Sequence, residues 1–295
     1  MYNLEQLRMF VVAVESGSFS ACARKLGKVQ SAISQGIANL EIDLNVQLFD
    51  RSTRKPGLTE DGQRLFGYAQ AILRQTEELN SAVAAIARQE EGLIRLAVDS
   101  VLMMPSFTGI LQRFSDQFPA TSLEVFTLPS IDIPARIASG QADLGLMQAH
   151  IEFKHDVEHG YIGGLPFHTV CSPEHPLAGQ EVIRAPDLSP HRQLLLKGES
   201  GLSEDPVPKL SADIWYTNDI NTLIDMTCQG IGWTFLPDHQ VTRLVKAGRL
   251  KQLVTSFDHK PWNVPVELIK AKNHTVGPAQ SWLYDQFVEY LLTTS

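Results

Sequence analysis

The sequence predicts a multi-domain α+β protein: a helical N-terminal domain (residues 1–58), one long linker helix (59–90) and a C-terminal α/β domain (91–295). Three observations carry this. Apolar residues recur at helical spacing through the first 44 residues. From Leu65 to Ile86 the recurrence becomes a regular alternation of four and three. From Leu93 onward, short apolar runs that read as strands alternate with helical stretches, the layout of a mainly parallel sheet with helices on both faces.

Composition sets the class. At 43% apolar and 20% charged, the chain reads as an ordinary soluble globular protein. No apolar run approaches the roughly 18 residues of a membrane span. The opening MYNLEQLRMF is polar and acidic where a signal peptide is basic and then apolar, so a cytoplasmic location is expected. Cys22, Cys171 and Cys228 are odd in number, far apart and lack a CxxC pair. Neither a disulfide framework nor a zinc ribbon is expected. Small core residues are the plain reading of the three and a redox-sensing pair the alternative. The net charge of −8 is unevenly spread: residues 1–90 hold ten basic and ten acidic side chains, and the remainder carries the whole deficit. Within residues 18–57, six basic residues outnumber three acidic ones, a local surplus that suits phosphates.

In the first domain, Leu4, Leu7, Val11 and Val14 mark a helix to about Ser16, which Gly17 ends. Ser18 is an N-cap for a short second helix, Phe19 to Leu26, whose small residues Ala21, Cys22 and Ala23 admit a close neighbour; Gly27 stops it. A third helix starts near Gln30, with Ile33, Ile37, Leu40 and Leu44 on one face. Its other face carries Gln30, Ser31, Ser34, Gln35 and Asn39, hydrogen-bonding groups almost without charge. Such a face suits base edges in a major groove, since Gln pairs bidentately with adenine and Ser donates or accepts. A plain solvated helix face is the competing reading. The run LFDRSTRKPGLTEDG then places Arg51, Arg54 and Lys55 around a Pro56-Gly57 turn. A basic hairpin after a reading helix is a wing that grips phosphates and sets position without reading sequence.

Together, SFSACARKLGKVQSAISQGIANLE and LFDRSTRKPGLTEDG resemble the winged helix-turn-helix DNA-binding domain of the LysR-type transcriptional regulators over about the first 60 residues. The resemblance implies Gln30, Ser31 and Ser34 at the groove, with Gln35, Arg51 and Arg54 nearer the backbone. The chain departs from the family in one place: Lys28 and Val29 stand where an apolar residue and a capping Ser or Thr are usual. Lys28 is then a further phosphate contact.

Thr59 caps the linker helix, with Glu60 and Asp61 at its positive end. Leu65, Ala69, Ile72, Thr76, Leu79, Val83 and Ile86 form a heptad seam about three repeats long. A seam this narrow needs a partner helix, or else packs on its own domain. The family resemblance implies a homodimer through this helix and often a dimer of dimers, a homotetramer, with the paired reading helices matching an interrupted inverted repeat.

In the last two thirds, Leu93–Asp99, Ser122–Leu128 and Ala142–Met147 read as strands, with helices over about Met103 to Phe118 and Ile133–Ser139. Near Gly163-Gly164 a second lobe begins. It holds strands in Phe167–Ser172, Leu194–Lys197 and Gly230–Pro237; Glu267–Lys272 and a helix over Pro278–Leu292 return to the first lobe. Lobe I is therefore 91–163 with 266–295, and lobe II is 164–265. The runs PSFTGILQRFSDQFP, SGQADLGLM, CSPEHPLAG and CQGIGWTFLP resemble the effector domain of the same family, itself similar to two-lobed periplasmic solute-binding proteins. The resemblance implies a small-molecule effector in the cleft between lobes. Ser100 and Ser130 from lobe I, and Phe167, Gly198, Asn218 and Asn221 from lobe II or the crossover, are the candidate contacts. Backbone N–H groups after Ser100 could hold an anionic group, unless Ser100 only caps its helix and Asp99 turns a negative charge into the cleft.

His155, Glu158 and His159 match H-x-x-E-H, with His150 nearby, but the zinc-protease pattern requires a helix and these residues fall in a short connection. No GxGxxG, P-loop, GxSxG or CxxC motif occurs. The expectation is a regulator rather than an enzyme, with no catalytic residues, no metal and no cofactor beyond the effector. Its partners are double-stranded promoter DNA, the effector, a second copy and RNA polymerase, with no membrane. The rival is an enzyme or solute-binding protein whose N-terminal helices only oligomerise it.

Overall fold

The computed structural model describes residues 1–50, 57–149, 157–198, 207–272 and 276–291. Contacts divide the chain into two compact units, Met1–Ala84 and Ala85–Ser295.

The first unit begins with α1 (Leu4–Ser16), α2 (Phe19–Leu26) and α3 (Gln30–Leu44). Asn3 and Gln6 form a reciprocal capping box on α1, and the Ser18 hydroxyl accepts from the Ala21 N–H to cap α2. Gly17 and Gly27 end the first two helices in the left-handed conformation, at φ 69° and 64°. Ile33, Ile37 and Leu40 of α3 are fully buried against Phe10, Val11 and Cys22. Leu4, the first residue of the predicted stripe, is exposed, and Phe10 takes the central place in its stead. Two short strands follow, β1 (Phe49–Asp50) and β2 (Gly57–Leu58), paired antiparallel with Phe49 opposite Leu58. The long helix α4 (Glu60–Ala87) starts against them. The Thr59 hydroxyl accepts from the Gly62 N–H at 2.8 Å and donates to the Gln47 carbonyl at 2.6 Å. Gly62 lies so close to the strand that a Cβ there would sit 2.1 Å from the Leu48 carbonyl oxygen.

The second unit is built from β3 (Leu93–Val98), α5 (Pro105–Gln117), β4 (Ser122–Thr127), α6 (Ile133–Ala138) and β5 (Leu144–Gln148), then β6 (Val157–Cys171). It continues with α7 (Ala185–Leu188), β7 (Gln193–Leu196), β8 (Ile214–Thr217), α8 (Ile220–Cys228), β9 (Thr234–Pro237), α9 (Asp238–Lys246) and β10 (Lys251–Gln252). Strand β11 (Trp262–Ala271) and helix α10 (Pro278–Val288) close it. One seven-stranded sheet runs β10-β6-β11-β5-β3-β4, with β9 also on β6, and β7-β8 form a parallel pair.

This sheet corrects the mainly parallel arrangement expected from the alternation. Among the described residues only β3-β4, β3-β5 and β7-β8 are parallel pairs of strands, while β6 and β11 run antiparallel to each other and to their other neighbours. The reason is that β6 and β11 are long crossovers shared by both lobes. Gly160 to Gly164, around which the sequence places the start of the second lobe, lie inside β6. Their glycines mark close approach instead of a turn. A Cβ at Gly160 would sit 2.5 Å from the Tyr284 hydroxyl, and Gly163 has φ 139°. The register of β6 with β11 shifts between Val266 and Glu267, beside Gly163. The helix expected from Met103 begins at Pro105, because the residue before a proline is driven to extended backbone, and Met104 has ψ 164°. A 3-10 turn, Ser100–Leu102, fills the gap and is capped by Asp99. Asp99 thereby takes the capping role weighed for Ser100.

Candidate functional site

In the first unit the exposed side of α3 presents Gln30, Ser31, Gln35 and Asn39, with Ser34 half-buried beside them. Val29 supplies no side-chain cap and the first turn holds no acidic residue, so the positive end of the helix has no anion of its own. The Ser20 hydroxyl donates to Gln30 Oε1, and Gln35 Nε2 donates to Asn39 Oδ1, each at 2.8 Å, which orders two side chains of this face. Lys28 pairs with Glu5 at 2.5 Å on the surface. Exposed pairs of this kind are weak, and a phosphate competes with them directly. Glu41 of α3 accepts from the Leu48 and Phe49 N–H groups at 2.8 and 3.1 Å, tying the root of the β1-β2 hairpin to the helix. Arg51, Arg54 and Lys55 of the predicted wing lie outside the described residues; Asp50 and Gly57, on either side of them, are paired.

In the second unit, β3, β4 and β5 leave the sheet at one end, and a buried polar cluster sits there. Asp99 accepts from the Val101 N–H at 3.0 Å, from the Ser130 N–H at 3.1 Å and from Gln148 Nε2 at 3.1 Å. The Ser130 hydroxyl donates to Asp99 and accepts from the Gln148 N–H at 2.8 Å. Burial pushes the Asp99 carboxyl above the usual carboxylate range, with the bonds from Ser130, Val101 and Gln148 pulling the other way. The next residues, Ile131 and Asp132, meet the second lobe. A Cβ on Gly198, just past β7, would lie 2.3 Å from Ile131 Cγ2 and 2.9 Å from the Asp132 carboxylate. Because β7 and β8 are parallel and in register at Leu196 and Thr217, Gly198 and Asn218 leave them at the same end. The ends of strands from both lobes therefore come together at Ile131 and Gly198, and strand ends are where open α/β sheets usually take a ligand.

Two family models match the chain. One, described as "Bacterial regulatory helix-turn-helix protein, lysR family", covers residues 4–63, and the other, "LysR substrate binding domain", covers residues 87–292. The chain is a LysR-type transcriptional regulator. The HTH-type transcriptional regulator AceR of Acinetobacter baumannii is 30% identical to this regulator over 289 residues, covering 96% of this chain and 95% of that protein. The HTH-type transcriptional activator AaeR of Escherichia coli is 26% identical, over 88% of this chain and 85% of that one. Among solved structures, CrgA, a LysR-type transcriptional regulator from Neisseria meningitidis, matches with a TM-score of 0.52 at 23% identity over 99% of both chains. A Corynebacterium glutamicum OxyR mutant matches with a TM-score of 0.55 at 22% identity, over 99% of this chain and 93% of that one. These last two establish likeness of fold.

In this LysR-type regulator the predicted effector residues divide. Ser130 and Gly198 come together through Ile131, Ser100 opens the turn that Asp99 caps, and Asn218 lies at the same end of the lobe II strands. Asn221 is exposed in the first turn of α8 and bonds Asp219, whose carboxyl lies below its usual range, chiefly through the Thr222 N–H. Phe167 is placed apart. It is buried in the sheet opposite Trp262 and Pro237 and lines a small cavity of about 210 Å³ with His168 and Gln252. Asp99 and Gln148 were not among the predicted contacts. Their signal in the sequence was a polar residue directly at the carboxyl end of each of two apolar strands. Of the H-x-x-E-H residues, His155 lies outside the described residues, as does the nearby His150. Glu158 and His159 are consecutive on β6, pairing with Lys270 at 3.2 Å and Glu267 at 2.8 Å. A strand turns consecutive side chains to opposite faces, so this segment lacks the helical context of the protease motif.

Proposed function

We propose that this regulator binds an interrupted inverted repeat in promoter DNA and responds to a small-molecule effector held in the crevice between Ser130–Asp132 and Gly198. The observation that carries the first part is α3, which combines a buried apolar stripe with an exposed, nearly uncharged hydrogen-bonding face and an uncapped N-terminus. Gln30, Ser31 and Ser34 read bases, while Lys28, Gln35, Arg51, Arg54 and Lys55 hold phosphates. The exposed stripe on α4 supports self-association. Ile72, Leu79, Val83 and Ile86, all of the predicted seam, are 39%, 63%, 59% and 75% exposed. An apolar row of this kind is covered by a partner helix, which gives a dimer and, through further contacts, a tetramer.

Effector binding shifts the equilibrium between lobe arrangements and so between oligomer geometries on DNA; the effector must prefer one arrangement for this to work. The protein acts in the cytoplasm, where it meets RNA polymerase at the promoter, and it needs no catalytic residue, metal or further cofactor. No helix among the described residues is long and apolar enough to cross a membrane.

Selection of genomic fragments by the purified protein at near-physiological salt tests the reading, repeated with a metabolite extract. Recovery of a two-fold-symmetric site whose footprint changes with the extract is the expected result. No enriched sequence under either condition overturns it. Deletion of residues 1–58 is expected to abolish DNA binding and to leave ligand binding intact, whereas the oligomerised-enzyme alternative predicts no such split.

A further inference from the structure

Two acidic residues are buried as a whole among the described residues, Glu267 and Asp99, and they are compensated differently. Glu267 has the imidazole of His159 at 2.8 Å. Asp99, 2% exposed, is surrounded by neutral donors: the Val101 and Ser130 N–H groups, the Ser130 hydroxyl and the Gln148 amide. No Lys, Arg or His among the described residues forms an ion pair with it.

The carboxylate also fixes the Gln148 side chain. An ionised Asp accepts only, so the amide must turn its NH2 toward Asp99 and its oxygen away. That oxygen, Oε1, is buried and has no donor among the described residues, on a side chain 5% exposed. Buried acceptors without donors are uncommon and costly. Asp99 Oδ1 receives only the Val101 N–H, which leaves capacity for one more donor. Asp99 and Gln148 stand at the ends of β3 and β5, and both bond Ser130, the residue before Ile131, which meets Gly198 of the other lobe.

The N–H expected from sequence to bind an anionic ligand is therefore already taken by the chain's own carboxylate. A second carboxylate brought here would meet a like charge, and the Val101 and Ser130 N–H groups and the Ser130 hydroxyl are already committed to Asp99. An ammonium supplies what is missing: up to three donors, no acceptor and a compensating positive charge.

Resting on the effector-crevice reading above, we infer that the crevice takes an effector whose inner end is a protonated amine, seated on Gln148 Oε1 beside Asp99. Burial makes a lone carboxylate expensive to ionise, and a bound cation offsets that cost.

The test melts the full chain, followed by tryptophan fluorescence, with matched series sharing a carbon skeleton: butylamine, butyrate and butyramide; benzylamine, benzoate and benzamide; phenethylamine, phenylacetate and phenylacetamide. One or more amines are expected to raise the melting temperature while their acids and amides do not. Gln148→Met removes the orphan acceptor and keeps the backbone N–H to Ser130; Asp99→Asn removes the charge. Each is expected to weaken amine affinity by roughly tenfold or more. If Asp99→Asn fails to fold, Gln148→Met decides. Stabilisation by an acid or amide instead of its amine overturns the cationic assignment and leaves the effector crevice standing. Amine binding unmoved by either substitution overturns the location. If no compound in any series acts, the inference fails; the metabolite-extract footprint then shows separately whether the effector reading survives.

Discussion

Gly62 and Gly67 occupy the same helix, α4, five residues apart, and their replacement by alanine should have opposite effects. Both substitutions raise helix propensity and reduce the freedom of the unfolded chain, which by itself stabilises by about 0.4–1 kcal/mol. At Gly67 a new Cβ meets nothing within 4 Å, so Gly67→Ala should show that gain alone. At Gly62 the Cβ would sit 2.1 Å from the Leu48 carbonyl oxygen and 2.9 Å from the Leu48 carbonyl carbon. That is more than about 1 Å inside normal contact. The obstacle is backbone, and it is held on both sides. Leu48 donates its N–H to Glu41 and accepts from the Thr59 N–H, while Gly62 donates to the Thr59 hydroxyl.

Relief must therefore shift the start of α4 against the hairpin root. Overpacking of this kind costs about 1–3 kcal/mol, which outweighs the propensity gain. For a unit of this size, about 1 kcal/mol corresponds to roughly 4–8 °C. The molecule provides its own control, because Trp215, Trp233, Trp262 and Trp282 all belong to Ala85–Ser295. Tryptophan fluorescence should report an unchanged transition in both variants. Far-ultraviolet circular dichroism and loss of DNA binding on heating should show Gly62→Ala melting earlier and Gly67→Ala slightly later than the parent. If Gly62→Ala melts with or above Gly67→Ala, the close packing of α4 on the hairpin root is refuted.

Gln30→Ala should relax base preference at one position of the site by about 1–3 kcal/mol, whereas Arg54→Ala should weaken all sequences alike and flatten the salt dependence by about one unit; binding selections across a salt series separate them. Leu79→Asp on α4 should shift the oligomer toward monomer in analytical ultracentrifugation, since it places charge on a side chain 63% exposed in the single chain, and unchanged mass would remove α4 from the interface. Burial lowers the His239 imidazole to about 4, and neither ring nitrogen has a partner among the described residues. The folded state thus prefers the neutral ring, so its contribution is fully present above pH 6.5 and is lost as pH falls through about 4. Replacing His239 with Phe should flatten that part of the stability profile, and an unaltered acid limb would show that another group titrates there.

Much of this molecule was legible in the chain because its signals are local. Gly17 and Gly27 stop helices where φ must be positive, and Ser18 and Thr59 cap them through their own hydroxyls. The polar face of α3 follows from a spacing that any helix must obey. The glycines of 160–164 misled for the same reason. Glycine permits a turn but also permits close approach, and the sequence does not say which. Tyr284 and Leu291, which press on Gly160 and Gly163, are more than 120 residues away in the chain.

The helical N-terminal domain, the apolar seam on α4 and the two α/β lobes each rest on a period of a few residues, so the chain carries them before it folds. It also placed Ser130 and Gly198 among the candidate contacts. The antiparallel crossing of β6 and β11 between the lobes is fixed on folding, since strand direction depends on which distant strand supplies the hydrogen bonds. Only the folded chain showed that Phe167 belongs to the core of the sheet and that Asp99, Ser130 and Gln148 converge on one buried cluster. A side chain's neighbours across 31 or 49 residues are set by how the strands stack, and the charge of a carboxyl buried there is set by what those neighbours can donate.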